Sequence, residues 1–207
     1  HDADYFIQPI FNCCLINISD MLDNGTVMNG KMIESPKSFQ VACTVTTQTI
    51  AAVASNQYGG QSVDIRHLGK YLRKTYDKIY KKRFLGYIEK GYSKEKAQKH
   101  ANEDAMERRQ EDLETGVQMI QYQINTLMTT NGQTPFVSLF IYLGETVNDQ
   151  EKHDLALFTS ELFNQRIQGV KAPNGQWIKQ TFPKLIYVLD EEDNLNEDSE
   201  YYWLTKE

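Results

Sequence analysis

Phe136-Val137-Ser138-Leu139-Phe140-Ile141-Tyr142-Leu143 is the stretch on which the fold turns. It is short, nearly continuously apolar and rich in aromatic and branched side chains, which suits a strand buried in a sheet. Asn131-Gly132-Gln133-Thr134-Pro135, just before it, predicts a turn. Beyond it, 149–168 predicts an amphipathic helix through Leu155, Phe158, Leu162 and Ile167. Asn174-Gly175 predicts a hairpin and Lys184–Leu189 a last buried strand, followed by an acidic loop from Asp190 to Glu200.

On the N-terminal side, 10–16 reads as another buried strand, and Ser19-Asp20 as the cap of a short helix stopped by Asn24-Gly25. Ser35-Pro36 predicts a helix start, with Ser at the cap and Pro in the first turn, running to about Gln57. Apolar residues on two of its faces predict that it is buried. Asp64 is placed to cap the next helix, whose inner stripe is Ile65, Leu68, Leu72, Tyr76 and Ile79 and which breaks near Gly91. Ser93 opens a long helix with a core-facing seam of Leu113, Val117, Ile120, Ile124 and Leu127. Buried strands separated by long helices predict an α/β fold with a mostly parallel sheet or barrel. The 207 residues fit one large domain or part of a larger one.

Composition narrows the function. A net charge of -6 argues against duplex nucleic acid as the main partner. No apolar run reaches the length of a membrane span, and the polar, acidic start is no signal peptide. Three cysteines, an odd number without regular spacing, point away from a disulfide framework and toward a reducing cytoplasm. The four histidines are scattered without metal spacing, so no metal site is expected. His1 in place of Met, and a last segment that looks like a helix just begun, lead to the expectation that both ends are cut.

Four groups of residues invite a chemical reading. Cys13 and Cys14 are neighbours in a strand, so one faces a cavity or core and the other the packed helices. Burial as two small apolar side chains is the plainer reading of the residues alone, and Cys43 reads as packing. Lys37 and Gln48 are close to three helical turns apart, about 16 Å along the axis, with Glu34 just before the helix. A helix N-terminus with free N–H groups would suit an extended nucleotide there; a solvated or interface face explains the same residues. Arg66, Lys70, Arg73, Lys74, Lys78, Lys81, Lys82 and Arg83 make a basic helix, able to attract polyphosphates or simply balanced by acidic side chains from 103–114. The 131–135 turn offers backbone N–H groups at a strand start, as ligand loops and ordinary connections both do.

Several segments together resemble the anaerobic (class III) ribonucleoside-triphosphate reductase family. They are His1-Asp2-Ala3-Asp4-Tyr5, Phe11-Asn12-Cys13, Ile33-Glu34-Ser35-Pro36-Lys37-Ser38 and Val53-Ala54-Ser55-Asn56-Gln57-Tyr58-Gly59-Gly60. Asn125-Thr126-Leu127, Asn131-Gly132-Gln133-Thr134-Pro135-Phe136-Val137 and Phe182-Pro183-Lys184-Leu185 complete the set. They occur in the family's order and cover nearly the whole chain.

The resemblance implies that 1–207 is a single partial catalytic domain, the N-terminal part of a ten-stranded α/β barrel of the glycyl-radical type. It implies an oxidoreductase in which a cysteine thiyl radical, made from a glycyl radical, removes the ribose 3′ hydrogen, and the 2′ hydroxyl leaves as water. Cys13 matches a second active-site cysteine, while Cys14 falls where the pattern allows an apolar residue. Asn12, Asn131, Gly132, Gln133 and Thr134 are implied to line the substrate. Glu34, Lys37 and Gln48, joined by Lys78 or Lys81, are implied to hold a deoxynucleotide or ATP effector at a homodimer interface. The thiyl-radical cysteine, the glycyl-radical loop and a four-cysteine zinc site belong beyond Glu207, and an ATP-sensing domain before His1. The fragment is therefore expected to hold no cofactor and to be inactive alone. The parent enzyme is expected to use a glycyl radical, zinc and formate, and a radical-SAM activating partner. A non-catalytic nucleotide-binding or dimerisation module on the same scaffold is the alternative, and another glycyl-radical enzyme a third.

Overall fold

The computed structural model describes residues 13–28, 30–56, 59–129, 132 and 134–207. Its centre is a four-stranded sheet in the order β1 (Cys14–Ile16), β4 (Gln61–Asp64), β5 (Val137–Ile141), β8 (Lys184–Tyr187), with every neighbouring pair parallel. Each strand joins the sheet beside the one before it in this order. Successive right-handed crossovers of that kind put the connecting helices on one face. Ile16, Val63, Val137, Leu139 and Ile141 point into that layer and are buried, with Leu185 and Tyr187 packed against them.

Four helices carry the layer: α2 (Phe39–Ala54), α3 (Arg66–Glu89), α4 (Lys94–Thr126) and α5 (Asp149–Gln168). Two short helices, α1 (Ile18–Asn24) and α6 (Tyr202–Thr205), and two small hairpins, β2 (Thr26–Met28) with β3 (Lys31–Ile33) and β6 (Val170–Lys171) with β7 (Trp177–Ile178), complete the chain. α2 is the buried helix expected. The rings of Phe39 and Phe158 meet edge to face at 5.0 Å. A Cβ at Gly116 would stand 2.6 Å from the Phe39 ring, so the close approach of α2 and α4 requires glycine there. The α4 seam is buried at Leu113, Val117, Ile120 and Ile124, and its polar first half lies on α3 through Ala97, Ala101 and Ala105.

Several boundaries depart from expectation. α2 starts at Phe39, capped by Ser38 and not Ser35, because the N–H groups of Phe39 and Gln40 are drawn into side chains of α3 and α4. Asn17, not Ser19, caps α1. Ile65, not Asp64, is the N-cap of α3 and has no side-chain capping bond; Asp64, at the end of β4, accepts from the Arg66 N–H at 3.0 Å. β4 has no counterpart among the strands expected from the sequence, and the expected ones are not continuously buried. β4 and β5 alternate buried with half-exposed residues, β8 alternates exposed with half-buried, and Leu15 on β1 is 72% exposed. The physical reason is the one-sided helix layer: the other face of the sheet has no cover among the described residues.

Candidate functional site

The uncovered face gathers the first candidate group. Cys14 packs partly against the core, whereas Cys13 is exposed, as alternation along a strand demands. The Cys14 N–H donates to the Gly60 carbonyl (3.1 Å), and the Gln61 N–H donates to the Phe136 carbonyl (2.8 Å). These bonds align the starts of three strands, so the 134–136 segment lies two strand spacings, about 10 Å, from Cys13. Of the residues expected to line substrate there, Gly132 and Thr134 are exposed at this sheet end. Asn12, Asn131 and Gln133 lie outside the described residues.

Side chains that sequence reasoning passed over complete this surface. The register sets Leu15, Ser62, Ser138 and Lys184 in one row across the open face. The alternation over 137–141 is hidden within the apolar run 136–143, and Gln61-Ser62-Val63-Asp64, with a single apolar residue, carries no strand signal of its own. At the sheet end, the rings of Phe136 and Phe182 lie 4.7 Å apart, with Lys184 Nζ 5.3 Å from the Phe136 ring and 5.9 Å from that of Phe182. A Cβ at Gly60 would meet the Phe136 ring at 2.9 Å, so this edge is closely fitted. Asn125 Nδ2 donates to the Phe182 carbonyl (2.9 Å) and holds the loop against α4. A thiol, two hydroxyls and an ammonium beside flat rings can hold a polar ligand by hydrogen bonds and stack its planar part. Asp64, also on this face, is committed to Arg66 at 2.7 Å.

The second candidate group lies at the start of α2, where the structure corrects one premise. The N–H groups expected to be free for a nucleotide are occupied. Phe39 and Gln40 N–H donate to Asp112 Oδ2 (3.1 and 3.3 Å), the Thr75 hydroxyl donates to the same oxygen (2.8 Å), and Ser38 accepts from Val41 and Ala42. An internal carboxylate takes the place of an anionic ligand at this helix terminus. Glu34, Lys37, Gln48 and Lys78 are nevertheless all exposed. Lys37 immediately precedes the cap, and Lys78 lies one turn past Thr75, so the two flank the start of α2. Gln48 stands about 14 Å further along the helix, on a stripe shared with Val41 and Ala52. Lys37 lies outside the helix, so the three-turn spacing that would set it on one face with Gln48 does not apply.

Four of the eight basic side chains of α3 are held in ion pairs. Arg66 pairs with Asp64 and Glu145, Lys70 with Asp23, Arg73 with Asp154 and Arg83 with Asp104. Asp104 comes from the acidic stretch expected to balance it; the other partners come from elsewhere. Cys43 is fully buried, and burial pushes its thiol well above the usual range, in keeping with packing. Among the described residues, no group of three His, Cys, Asp or Glu could hold a metal, and no helix is long and apolar enough to cross a membrane.

The model of the family described as anaerobic ribonucleoside-triphosphate reductase matches residues 1–207. The curated protein of that name from Enterobacteria phage T4 is 33% identical over 210 residues, covering 98% of this chain and 31% of the relative. That from Escherichia coli is 33% identical over 199 residues, covering 95% and 25%. The chain thus spans about a quarter to a third of the length of these relatives. Among solved structures, the Thermotoga maritima anaerobic ribonucleotide reductase with dATP bound in the specificity site superposes with a TM-score of 0.55. It is 13% identical and covers 89% of this chain and 29% of its own. At that identity the likeness speaks for the fold alone: an α/β architecture with a parallel sheet and long helices.

Proposed function

Since the chain belongs to the anaerobic ribonucleoside-triphosphate reductase family, we propose that it forms the N-terminal part of a catalytic barrel that reduces ribonucleoside triphosphates to deoxyribonucleoside triphosphates in the cytoplasm. The sheet's open face is the inner wall of that barrel, and Cys13 presents its thiol to the ribose. Gly132 and Thr134, with Asn12, Asn131 and Gln133, line the substrate at the same sheet end. A thiol is a proton donor of the kind that departure of a hydroxyl as water requires. Glu34, Lys37, Gln48 and Lys78 hold a deoxynucleotide or ATP effector at a homodimer interface.

Three cysteines cannot make a four-cysteine zinc site. Zinc, the glycyl radical that supplies the thiyl radical, and the contact with a radical-SAM activating enzyme therefore belong to the rest of the polypeptide, with formate as reductant. The fragment alone is inactive.

The observation that carries the reading is the opposite placement of two adjacent cysteines: Cys14 against the core, Cys13 exposed on the sheet face that no described helix covers. In the full-length enzyme, Cys13→Ala should abolish deoxynucleotide formation while the glycyl-radical signal persists in electron paramagnetic resonance. Undiminished deoxynucleotide output would refute the assignment.

A further inference from the structure

A cleft of about 720 Å³, lined by none of the residues in the two candidate groups, opens between α4, the end of α5 and the β6–β7 hairpin. That size falls within the range of small-molecule sites. Two aromatic residues, Tyr122 and Trp177, line it, and both are 57% exposed. Gln121 lines it too, is only 5% exposed, and its amide Nε2 is buried without a hydrogen-bond partner. Gln180 contributes a buried, unpartnered Oε1 to the same cleft. A buried amide donor and a buried amide acceptor left unpaired are costly, and a ligand that offers the matching groups removes that cost.

The cleft's charge selects among ligands. Glu114 and Glu161 face it, with Lys171 as the cation. Burial pushes the Glu161 carboxyl up, and neighbouring Glu114 adds to the shift against the Gln165 hydrogen bond. Two carboxylates to one ammonium repel phosphate groups.

We propose that this cleft binds an uncharged, planar, amide-bearing ring compound of nucleoside size. The ring lies against Trp177 or Tyr122, its carbonyl accepts from Gln121 Nε2 and its ring N–H donates to Gln180 Oε1. Stacking on an exposed aromatic side chain adds affinity for any flat heterocycle, and the paired amides select rings that carry both a carbonyl and an N–H. The site is separate from the residues assigned to substrate and effector, so its test does not depend on that assignment.

The probe is uridine, titrated against the fluorescence of Trp177 in a Trp203→Phe background, with uridine triphosphate as the charged counterpart. Uridine should quench saturably, and the triphosphate should bind about tenfold or more weakly. Trp177→Leu, on an exposed hairpin where folding is safe, should weaken uridine binding about tenfold or more in equilibrium dialysis. Gln121→Leu should do the same. Equal or tighter binding of the triphosphate to the cleft would overturn the proposal, as would uridine binding that survives both cleft variants. Absence of nucleoside quenching would also overturn it. If a short uncharged peptide then quenched Trp177, the cleft would be a peptide groove instead.

Discussion

The open face of the sheet and the junction of α2, α3 and α4 treat polar groups in opposite ways. At the junction, Asp112 is 3% exposed, and one of its oxygens accepts from two backbone N–H groups and the Thr75 hydroxyl. On the sheet face, Cys13, Thr134 and Lys184 are exposed and the serines of β4 and β5 half-exposed. Polar groups satisfied inside the fold stabilise it, whereas polar groups turned outward remain available to a ligand. A helix N-terminus therefore does not identify an anion site until its N–H groups have been traced. At α2 they lead to Asp112.

The contrast can be tested from its strongest side first. Asp112→Ala strips the buried acceptor from two N–H groups and a hydroxyl, and should lower stability by about 3–5 kcal/mol in urea unfolding. Asp112→Asn keeps one accepting oxygen and should recover part of the loss. A cost below about 1 kcal/mol for Asp112→Ala would show that water or a shifted side chain replaces the carboxylate.

Lys37→Ala should show the reverse pattern. In the full-length enzyme, deoxynucleotide effector affinity should fall about tenfold or more, through loss of a charge-assisted contact, with stability nearly unchanged. Unchanged effector binding would remove Lys37 from the proposed site.

Asp154 tests whether every buried carboxylate behaves like Asp112. It is fully buried, with Arg73 and Arg109 each 3.7 Å away. Burial pushes its carboxyl above the usual value of 3.8 although both arginines pull it down. A raised folded-state value means the proton is held more tightly in the folded protein. The associated stability is present below 3.8 and is lost as pH rises through the folded-state value. Measured against Asp154→Asn, the native protein should therefore lose relative stability as pH rises above 3.8. A difference that moves the other way would mean that the arginines dominate.

The smallest effect is expected at Cys13. Cys13→Ser should alter stability by less than about 0.5 kcal/mol, as exposed substitutions do. In the native chain a thiol reagent should label Cys13 first, Cys14 more slowly and Cys43 only on unfolding. Cys14 reacting as fast as Cys13 would break the two-sided reading of the strand.

Much of this was legible in the residues themselves. The helix over 149–168, the hairpin at Asn174-Gly175, the cap at Ser93 and the buried seam of α4 follow from local signals. Such signals involve neighbours within a turn or two, and a single chain states them directly. The start of α2 did not follow, because Ser35-Pro36 offered a cap of the usual kind while the true boundary depends on Asp112, 73 residues from Phe39. The resemblance to the reductase family also lay in the sequence, spread over segments from His1 to Leu185.

By itself, then, the sequence determined the family, the α/β class and the alternation that sends Cys13 and Cys14 to opposite sides. Which side is open was decided only by the tertiary structure. Four parallel strands gather their helices on one face, and it is that layer, not any local pattern, that half-buries Cys14 and leaves Cys13 exposed. The same holds for the row of Ser62 and Ser138 and for the capture of the α2 terminus by Asp112. Each depends on strand register or on contacts between distant segments, and burial is a property of the packed chain that no short stretch carries alone.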